Sequence, residues 1–282
     1  MIKGLSRAGI GDVGDIEAFA EKAAKHGFEA IDVSGKELRE WVERRGLEAA
    51  QETLRKHELR IGSIGLPVEW RADEASFREG LVELARDAEA AAAFGCTACC
   101  TYILPSTDQN AAHFMALATR RLRICAELLG AYGISLGLEF VGPHHLRTRW
   151  ANPFIWTMEE TLDWIAAIDR RNVGLLFDAY HWYTTGGTKE DILSLRAEQI
   201  VHVHLNDAKP LPVSEVLDND RLYPGEGVMD LQGFLQSLNV IGYKGVVAQE
   251  ILLQQSPPDS SDTLIARSAE GFRHVYRAAG LQ

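Results

Sequence analysis

Residues 173–181 read Val-Gly-Leu-Leu-Phe-Asp-Ala-Tyr-His, an apolar run that ends in an acid and an imidazole. A short, continuous apolar run of this kind is typical of a strand buried on both faces of a parallel sheet. The strand is predicted to end at Asp178, with His181 three residues further on. Similar runs that end in polar groups recur along the chain, and this recurrence predicts the fold class.

Eight such segments alternate with helical segments. The predicted strands begin near Ile2, Phe28, Leu59, Thr97, Ile134, Asn172, Ile200 and Gly245. Eight units of about 35 residues each leave room for a strand, a helix and two short loops. The sequence therefore predicts an α/β protein, a (β/α)8 TIM barrel with residues 1–282 in a single domain. A doubly wound sheet is the rival, but Gly9–Gly14 matches its G-x-G-x-x-G motif only by letter.

Helix boundaries support the same division of the chain. Residues 16–23 carry an apolar stripe at helical spacing, and Gly27 follows where a helix should end. Thr157 and Glu160 form a predicted capping box, and Asp230 is a predicted N-cap. These signals place helices between the predicted strands.

The composition excludes several classes of function. The chain of 282 residues has 29 basic and 40 acidic side chains and a net charge of −11, which argues against a broad nucleic-acid-binding face. No apolar run is long enough to cross a membrane, and no secretory signal is apparent at the N-terminus. Four cysteines are too few for a disulfide scaffold. We expect a soluble cytoplasmic protein with no nucleic-acid or membrane partner; a homo-oligomer is possible.

The fifth to eighth predicted strands each end in a residue that can bind a metal ion. These residues are Glu139, Asp178, His204 and Glu250. Because barrel active sites form at the C-terminal ends of the strands, the four side chains are expected to converge. Three carboxylates and one imidazole suit one divalent ion, Mn²⁺, Mg²⁺, Co²⁺ or Zn²⁺. Each residue alone could cap a helix or pair in the core, but burying the four together without a cation would be costly.

Other polar residues leave alternatives open. His202 shares the strand face of His204 one layer deeper, as expected for a packing or supporting residue. His144 and His145 follow a proline in a loop, where they either reach substrate or face solvent. Arg147 and Arg149 either hold an anionic group or lie on the surface.

The cysteines and aromatic residues give weaker signals. Cys96 and Cys99 have C-x-x-C spacing without a second pair, which favours packing on the fourth strand. The loop Pro224–Gly227 either lets the backbone approach a ligand or only makes a turn. Several aromatic residues in predicted loops either stack on a sugar ring or pack. They are Trp70, Trp150, Trp156, Trp182 and Tyr183.

The ordered set of motifs resembles the sugar phosphate isomerase/epimerase family, the xylose isomerase-like TIM barrels of the AP endonuclease family 2 superfamily. The resemblance covers nearly the whole chain. Its motifs are Leu138-Glu139, Asp178–His181, His202–Asp207, Pro224–Gly227 and Glu250.

The resemblance implies roles for individual residues. Glu139, Asp178, His204 and Glu250 would bind one divalent metal ion, the two glutamates would also shuttle protons, and His181 would polarise a substrate oxygen. The epimerases have an arginine shortly after the seventh-strand histidine, and residues 206–210 here contain none. The extra histidines of the endonuclease branch are also missing from the third and fourth strand ends.

The resulting hypothesis is a divalent-metal-dependent isomerase or epimerase of a sugar or keto-polyol. It would abstract a proton next to a carbonyl through a metal-stabilised enediolate. The alternative is a lyase or dehydratase that acts on a keto-sugar or 3-keto-glycoside with the same metal site, with His144 or His145 as the acid. A non-catalytic sugar-binding barrel is a third possibility, although a binder has no need of two opposed carboxylates.

Overall fold

The computed structural model describes residues 1–281 and contains a closed barrel of eight parallel strands. Each strand begins within two residues of its predicted start, and the predicted (β/α)8 TIM barrel is confirmed. The strands are β1 (Ile2–Leu5), β2 (Ala30–Ser34), β3 (Arg60–Gly65), β4 (Ala98–Ile103), β5 (Ser135–Phe140), β6 (Val173–Asp178), β7 (Ile200–Leu205) and β8 (Val246–Gln249). They follow one another in sequence order around the ring. That residues 1–282 form one domain stays a prediction.

Helices fill the segments between the strands. They are α1 (Ile16–Lys25), α2 (Gly35–Arg45), α3 (Leu47–Lys56), α4 (Glu74–Ala93), α5 (Ala111–Ala131), α6 (His144–Arg147), α7 (Met158–Ile168), α8 (Ala179–Thr184), α9 (Lys189–Leu193), α10 (Leu231–Val240) and α11 (Ser261–Ala278). Within residues 1–281, no helix combines the length and the apolar character needed to cross a membrane.

The predicted helix boundaries agree with the structure. Gly27 follows the end of α1 with φ +83°, a conformation that glycine adopts without strain. Thr157 and Glu160 form the capping box of α7. The Asp230 side chain accepts a hydrogen bond from the backbone N–H of Gly233 at the start of α10. Local sequence signals therefore fix where these helices begin and end.

Small residues fill the N-terminal part of the barrel interior. Ala30, Val246 and Ala248 form a small buried cluster against Ile2, and a Cβ on Gly4 would lie 2.6 Å from a Val246 methyl group. The main hydrophobic core contains side chains from both strands and helices. Polar side chains occupy the opposite end of the barrel interior, where the strands end.

Two irregularities interrupt the strand pairing near that polar end. The β2–β3 register shifts between Ile31 and Val33, and the β6–β7 register shifts between Leu175 and Leu176. Such bulges re-aim side chains and are common beside active sites. The first shift coincides with Asp32, whose side chain becomes part of the polar end. The sequence patterns predicted neither irregularity, nor the two-residue antiparallel ladder between 106–107 and 152–153.

Candidate active site

The four strand-end residues meet at the C-terminal mouth of the barrel. His204 Nδ1 lies 3.5 Å from Glu139 Oε1, 3.8 Å from Asp178 Oδ2 and 3.4 Å from Glu250 Oε2. One potential ligand atom from each of the four residues lies within 4.8 Å of the others. Strand register explains part of the convergence, since Asp178 and His204 are direct partners across β6 and β7.

This donor set fits a divalent cation. Glu139 Oε1 and His204 Nδ1 are buried and have no hydrogen-bond partner. Buried polar atoms are almost always satisfied, and an unsatisfied pair needs an explanation. A hard or borderline divalent ion is bound by this mixture of carboxylates and imidazole, and an ion between the four residues would supply both atoms with the partner that they lack.

Arg221 is a buried member of this cluster that the sequence analysis missed. Its side chain is 1% exposed, and Nη1 lies 2.8 Å from Asp178 Oδ2 and 2.9 Å from Glu250 Oε2. Nη2 donates to Asp218 Oδ1 at 2.8 Å. Arg221 comes 17 residues after His204, in a long loop that returns to the barrel through backbone pairing of Leu222 with Asp207. Because Arg221 is so distant in sequence from the end of β7, the search for polar residues at strand ends did not find it.

Burial and the charges of the cluster together raise the pKa of the Glu139 carboxyl and lower those of Asp178 and Glu250. Burial raises the pKa of the Glu139 carboxyl, and the nearby Glu250 and Asp178 carboxylates raise it further, against the effect of His204. Burial also disfavours the charged forms of Asp178 and Glu250. For these two carboxyls the positive charges of Arg221 and His204 outweigh burial, and both pKa values are lowered. Two of the carboxylates therefore stay ionised beside Arg221, while Glu139 has no such partner.

Asp32 supports the cluster from below. Its Oδ2 lies 2.8 Å from His202 Nε2 and 3.8 Å from His204 Nε2. Burial works against ionisation of Asp32, but His202 outweighs it and holds the pKa of that carboxyl well below its usual range. The carboxylate fits because residue 62 is glycine; a Cβ there would lie 2.5 Å from Asp32 Oδ1. An acid between Ile31 and Val33 in a predicted strand was the available signal, and the sequence analysis assigned it no role in the site.

His181 lies behind Arg221, without a place in the cavity wall. Its side chain is 1% exposed, its Nδ1 accepts a hydrogen bond from the Gly142 backbone N–H at 3.3 Å, and its Nε2 lies 3.4 Å from Arg221 Nη2. His181 Nε2 also lies 3.8 Å from Asp218 Oδ1, and the His181 ring packs edge-on against the Tyr180 ring. In this geometry Arg221 connects His181 to two of the candidate ligand carboxylates.

A cavity of about 290 Å³ opens above the cluster. Glu139, His204 and Glu250 line it from β5, β7 and β8. The rest of its wall comes almost entirely from β1 to β4 and the residues that follow those strands, including Arg7 and Tyr102. Two cavities of about 610 and 630 Å³ lie elsewhere, the first at the opposite end of the barrel beside α7 and the second beside α3, and among the described residues neither contains a candidate metal-binding cluster.

Several polar candidates from the sequence lie outside this cavity. His144 and His145 are exposed on the short helix α6. Arg147 donates to the carbonyl oxygens of Gly142 at 2.7 Å and Thr184 at 2.8 Å, which makes it a loop support. Arg149 is exposed and, like the other three, is absent from the cavity wall.

The predicted stacking aromatics also lie elsewhere. Trp70 is fully buried and packs against Phe114, and Trp182 is buried with its Nε1 donating to the Thr188 carbonyl. The Arg147 guanidinium covers the Trp156 ring at 3.7 Å. Trp150 and Tyr183 are likewise missing from the cavity wall. The aromatic ring that does line the cavity is Tyr102, which is 48% exposed and pairs in register with Glu139.

Comparison with known proteins identifies the family of the chain. Residues 20–274 match the xylose isomerase-like TIM barrel family. An inosose isomerase from Bacillus velezensis is 26% identical over 234 residues, which are 82% of this chain and 81% of that protein. An inosose dehydratase from Klebsiella pneumoniae is 32% identical over 168 residues, 54% of this chain and 52% of that protein.

A solved structure extends the comparison to the whole fold. A xylose isomerase domain protein from Alicyclobacillus acidocaldarius is 30% identical, with a TM-score of 0.91 and 99% of each chain covered. The chain is therefore an enzyme of the xylose isomerase-like TIM barrel family. Three further inosose isomerases match over only 42% to 50% of their lengths, and the particular reaction is a matter for proposal.

Proposed function

We propose that this enzyme is a divalent-metal-dependent isomerase or epimerase of a keto-sugar or keto-polyol. The observation that carries the proposal is the convergence of Glu139, Asp178, His204 and Glu250 beneath an open cavity, with two of their buried atoms unpartnered. These four residues would hold the ion. A divalent ion at this position would polarise a substrate carbonyl and make the adjacent C–H acidic.

The protein's own side chains would then move the proton. Glu139 and Glu250 both reach the cavity wall, from strands separated by β6 and β7 around the barrel. A substrate carbon between them would present one face to each carboxylate. One glutamate would take the proton and the other would return it to the opposite face, which is the requirement for epimerisation.

Arg221 and His181 would position these groups. Arg221 bridges Asp178 and Glu250, so it fixes the orientation of one ligand and of one proton-transfer group. His181 packs behind Arg221. We place His181 as a positioning residue, in contrast to the direct contact with a substrate oxygen that the family resemblance implied. His181→Ala should lower turnover while the protein keeps its metal. Direct contact of His181 with a substrate oxygen would instead require that substrate binding change the NMR signals of the His181 ring.

Dehydration is the second candidate. It begins with the same proton abstraction, and the similarity to an inosose dehydratase favours it. Loss of a hydroxyl also needs an acid, and His144 and His145 lie outside the cavity. One of the two glutamates would therefore have to deliver the proton to the leaving group.

The test is a screen of keto-sugars and keto-inositols in D₂O, with the protein loaded with Mn²⁺ or Mg²⁺. The products are then analysed by NMR after the ion is removed. An isomerase or epimerase places deuterium on one carbon next to the carbonyl and yields a product of the same composition. A dehydratase yields a product one water lighter. Absence of both exchange and product with every neutral or charged keto compound would contradict the proposal.

Two variants make the test specific. Glu250→Gln should lower turnover by about 10²–10⁴-fold, the usual contribution of general acid–base catalysis. Glu79→Gln makes the same change at an exposed residue of α4, outside the cavity wall, and serves as the control. Equal turnover of Glu250→Gln and wild type would remove Glu250 from the chemistry.

A further inference from the structure

The charges around the cavity are unusual for a site that would take a phosphorylated sugar. Four carboxylates line it, those of Asp32, Glu37, Glu139 and Glu250. Among its described lining residues the only lysine or arginine is Arg7. Phosphate and carboxylate groups are normally held by arginine forks, lysines or helix N-termini with free N–H groups.

Arg7 is already engaged by Glu37. Arg7 Nη2 lies 2.7 Å from Glu37 Oε1, and Nη1 donates to the Gly14 carbonyl at 3.0 Å. The Arg7 guanidinium also packs over the Phe19 ring at 4.7 Å. Its remaining group, Nε, is buried without a hydrogen-bond partner. One donor on this side chain is therefore free, while its charge is balanced.

Glu37 is held firmly in this position. Its Oε2 accepts hydrogen bonds from the Ser34 backbone N–H at 2.8 Å and the Ser34 hydroxyl at 2.9 Å, in the capping box of α2. Its Oε1 remains for Arg7. The ion pair is thus anchored to the start of a helix, and Glu37 keeps its place beside Arg7 without a ligand.

The second guanidinium near the site is balanced as well. Arg221 contacts the carboxylates of Asp178, Asp218 and Glu250. A divalent ion in the site would share the carboxylates of Asp178 and Glu250 with Arg221. The ion and the guanidinium would together carry three positive charges, against four negative charges on Glu139, Asp178, Asp218 and Glu250. No positive charge is left over to compensate a phosphate or carboxylate on the substrate, which would lose its hydration without a charged partner.

We propose that the substrate is an uncharged ketose or keto-polyol, and that the Arg7–Glu37 pair selects against phosphorylated and carboxylated analogues. This inference rests on the function proposed above. The Arg7 side chain would line the substrate cavity, and Glu37 would keep the guanidinium from attracting an anion. The pair would act as a neutral polar wall opposite Glu139 and Glu250.

The experiment compares two ligands that differ only in a phosphate, D-fructose and D-fructose 6-phosphate. Their binding to the Mg²⁺-loaded protein is measured by ligand-detected NMR titration, which needs no turnover. The decisive variant is Glu37→Gln, because glutamine also serves in a capping box while it releases the charge of Arg7. Glu160→Gln is the matched control, the same change at the same capping-box position of α7, outside the cavity wall.

We expect the wild type and Glu160→Gln to bind D-fructose more tightly than its phosphate. Glu37→Gln should improve binding of the phosphate by about tenfold, the scale of one added charged hydrogen bond. The Arg7→Met/Glu37→Gln double variant should lose that gain. Any affinity of phosphate for Mg²⁺ itself is common to all four proteins.

Several results would overturn the inference. The wild type could bind D-fructose 6-phosphate more tightly than D-fructose. Glu37→Gln could show no gain in affinity for the phosphate, or that gain could survive the removal of Arg7. Failure of the wild type to bind D-fructose or any neutral keto compound in the same titration would overturn it too. Turnover of phosphorylated substrates alone would leave the proposed chemistry standing and reject the uncharged substrate, so the two conclusions fail separately.

Discussion

Asp32 lies beside the candidate ligand His204 and is not one of the four candidate ligands. It lies 2.8 Å from His202 and 3.8 Å from His204, the imidazole that faces the three other candidate ligands. Side chains that support metal ligands typically contribute 10–100-fold to metal affinity. Asp32→Asn keeps the shape of the side chain and should weaken Mn²⁺ or Zn²⁺ binding by about that factor.

Competition with a metal chelator measures this loss of affinity directly. Asp163→Asn, at an exposed position of α7, changes the net charge by the same amount and should leave the affinity unchanged. Unaltered affinity in Asp32→Asn would show that His204 needs no support from Asp32.

The four cysteines should be chemically quiet despite the C-x-x-C spacing. No disulfide is present, and three of the thiols are buried. Burial raises the pKa of Cys96 and of Cys125 to about 12 and raises those of Cys99 and Cys100 as well. Since the thiolate is the reactive form, very little of it exists at pH 8.

Titration with Ellman's reagent at pH 8 checks this prediction. The folded protein should react slowly, and all four thiols should react after unfolding in guanidinium chloride. Because burial raises the pKa of all four folded thiols, the rate should continue to rise with pH beyond the range of a free cysteine. Rapid reaction of Cys96 or Cys99 in the folded protein would restore a redox or metal role for the motif.

At the scale of elements, one aspartate organises the long loop after β7. The Asp207 carboxylate accepts hydrogen bonds from the backbone N–H groups of Ala208, Gly225, Gly227 and Met229, at 2.8 to 3.0 Å. Asp207→Asn would replace one acceptor oxygen by a donor and leave buried N–H groups unpaired. We expect a loss of about 1–3 kcal/mol in the free energy of unfolding.

Urea unfolding measures this loss, with Asp163→Asn again as the control. A second readout follows from the path of the loop, which carries Arg221 to the cluster. If Asp207 sets that path, Asp207→Asn should also lower turnover. A variant with unchanged stability would show that the loop is held by its other contacts.

The strands and the loops differ in how far the sequence predicts them. Barrel strands such as β6 are continuous apolar runs, so the sequence predicts where they lie. The convergence of Asp178, His204 and the other candidate ligands was predictable because a parallel barrel brings the strand ends together. Arg221 and Asp32 escaped prediction for physical reasons. Arg221 depends on the fold of a long loop, and Asp32 depends on a bulge and on the space left by Gly62. The positions of Arg221 and Asp32 depend on three-dimensional packing, which the periodicity of the sequence does not reveal.

At the scale of the whole molecule, the candidate ligands couple metal binding to stability. Glu139, Asp178 and Glu250 come from strands spread over the second half of the barrel, so the site exists only when the barrel is closed. An ion that binds only the folded chain stabilises it by mass action, by about 2.7 kcal/mol at 100 times its Kd. Adding Mn²⁺ should raise the unfolding temperature, and a chelator should lower it.

The Glu139→Gln/Asp178→Asn variant is the control for this effect. It removes two carboxylates from the site and should show no increase in unfolding temperature with Mn²⁺. Elemental analysis of both proteins should give about one divalent ion per chain in the wild type and little in the variant. Equal thermal shifts in the two proteins would place the ion elsewhere.

The cavity is assembled from two halves of the chain with different contents. Strands β5 to β8 bring the candidate ligands, and strands β1 to β4 with their following residues bring most of the opposite wall. The halves join at the turn between α5 and β5, where Gly133 has φ +72°. Recombination of genes at that turn would exchange the substrate wall and leave the four candidate ligands in place. Because Asp32 lies in the exchanged half and contacts His202 and His204, such a recombinant would need an acid at the same position to keep its metal affinity while it acquired new substrates.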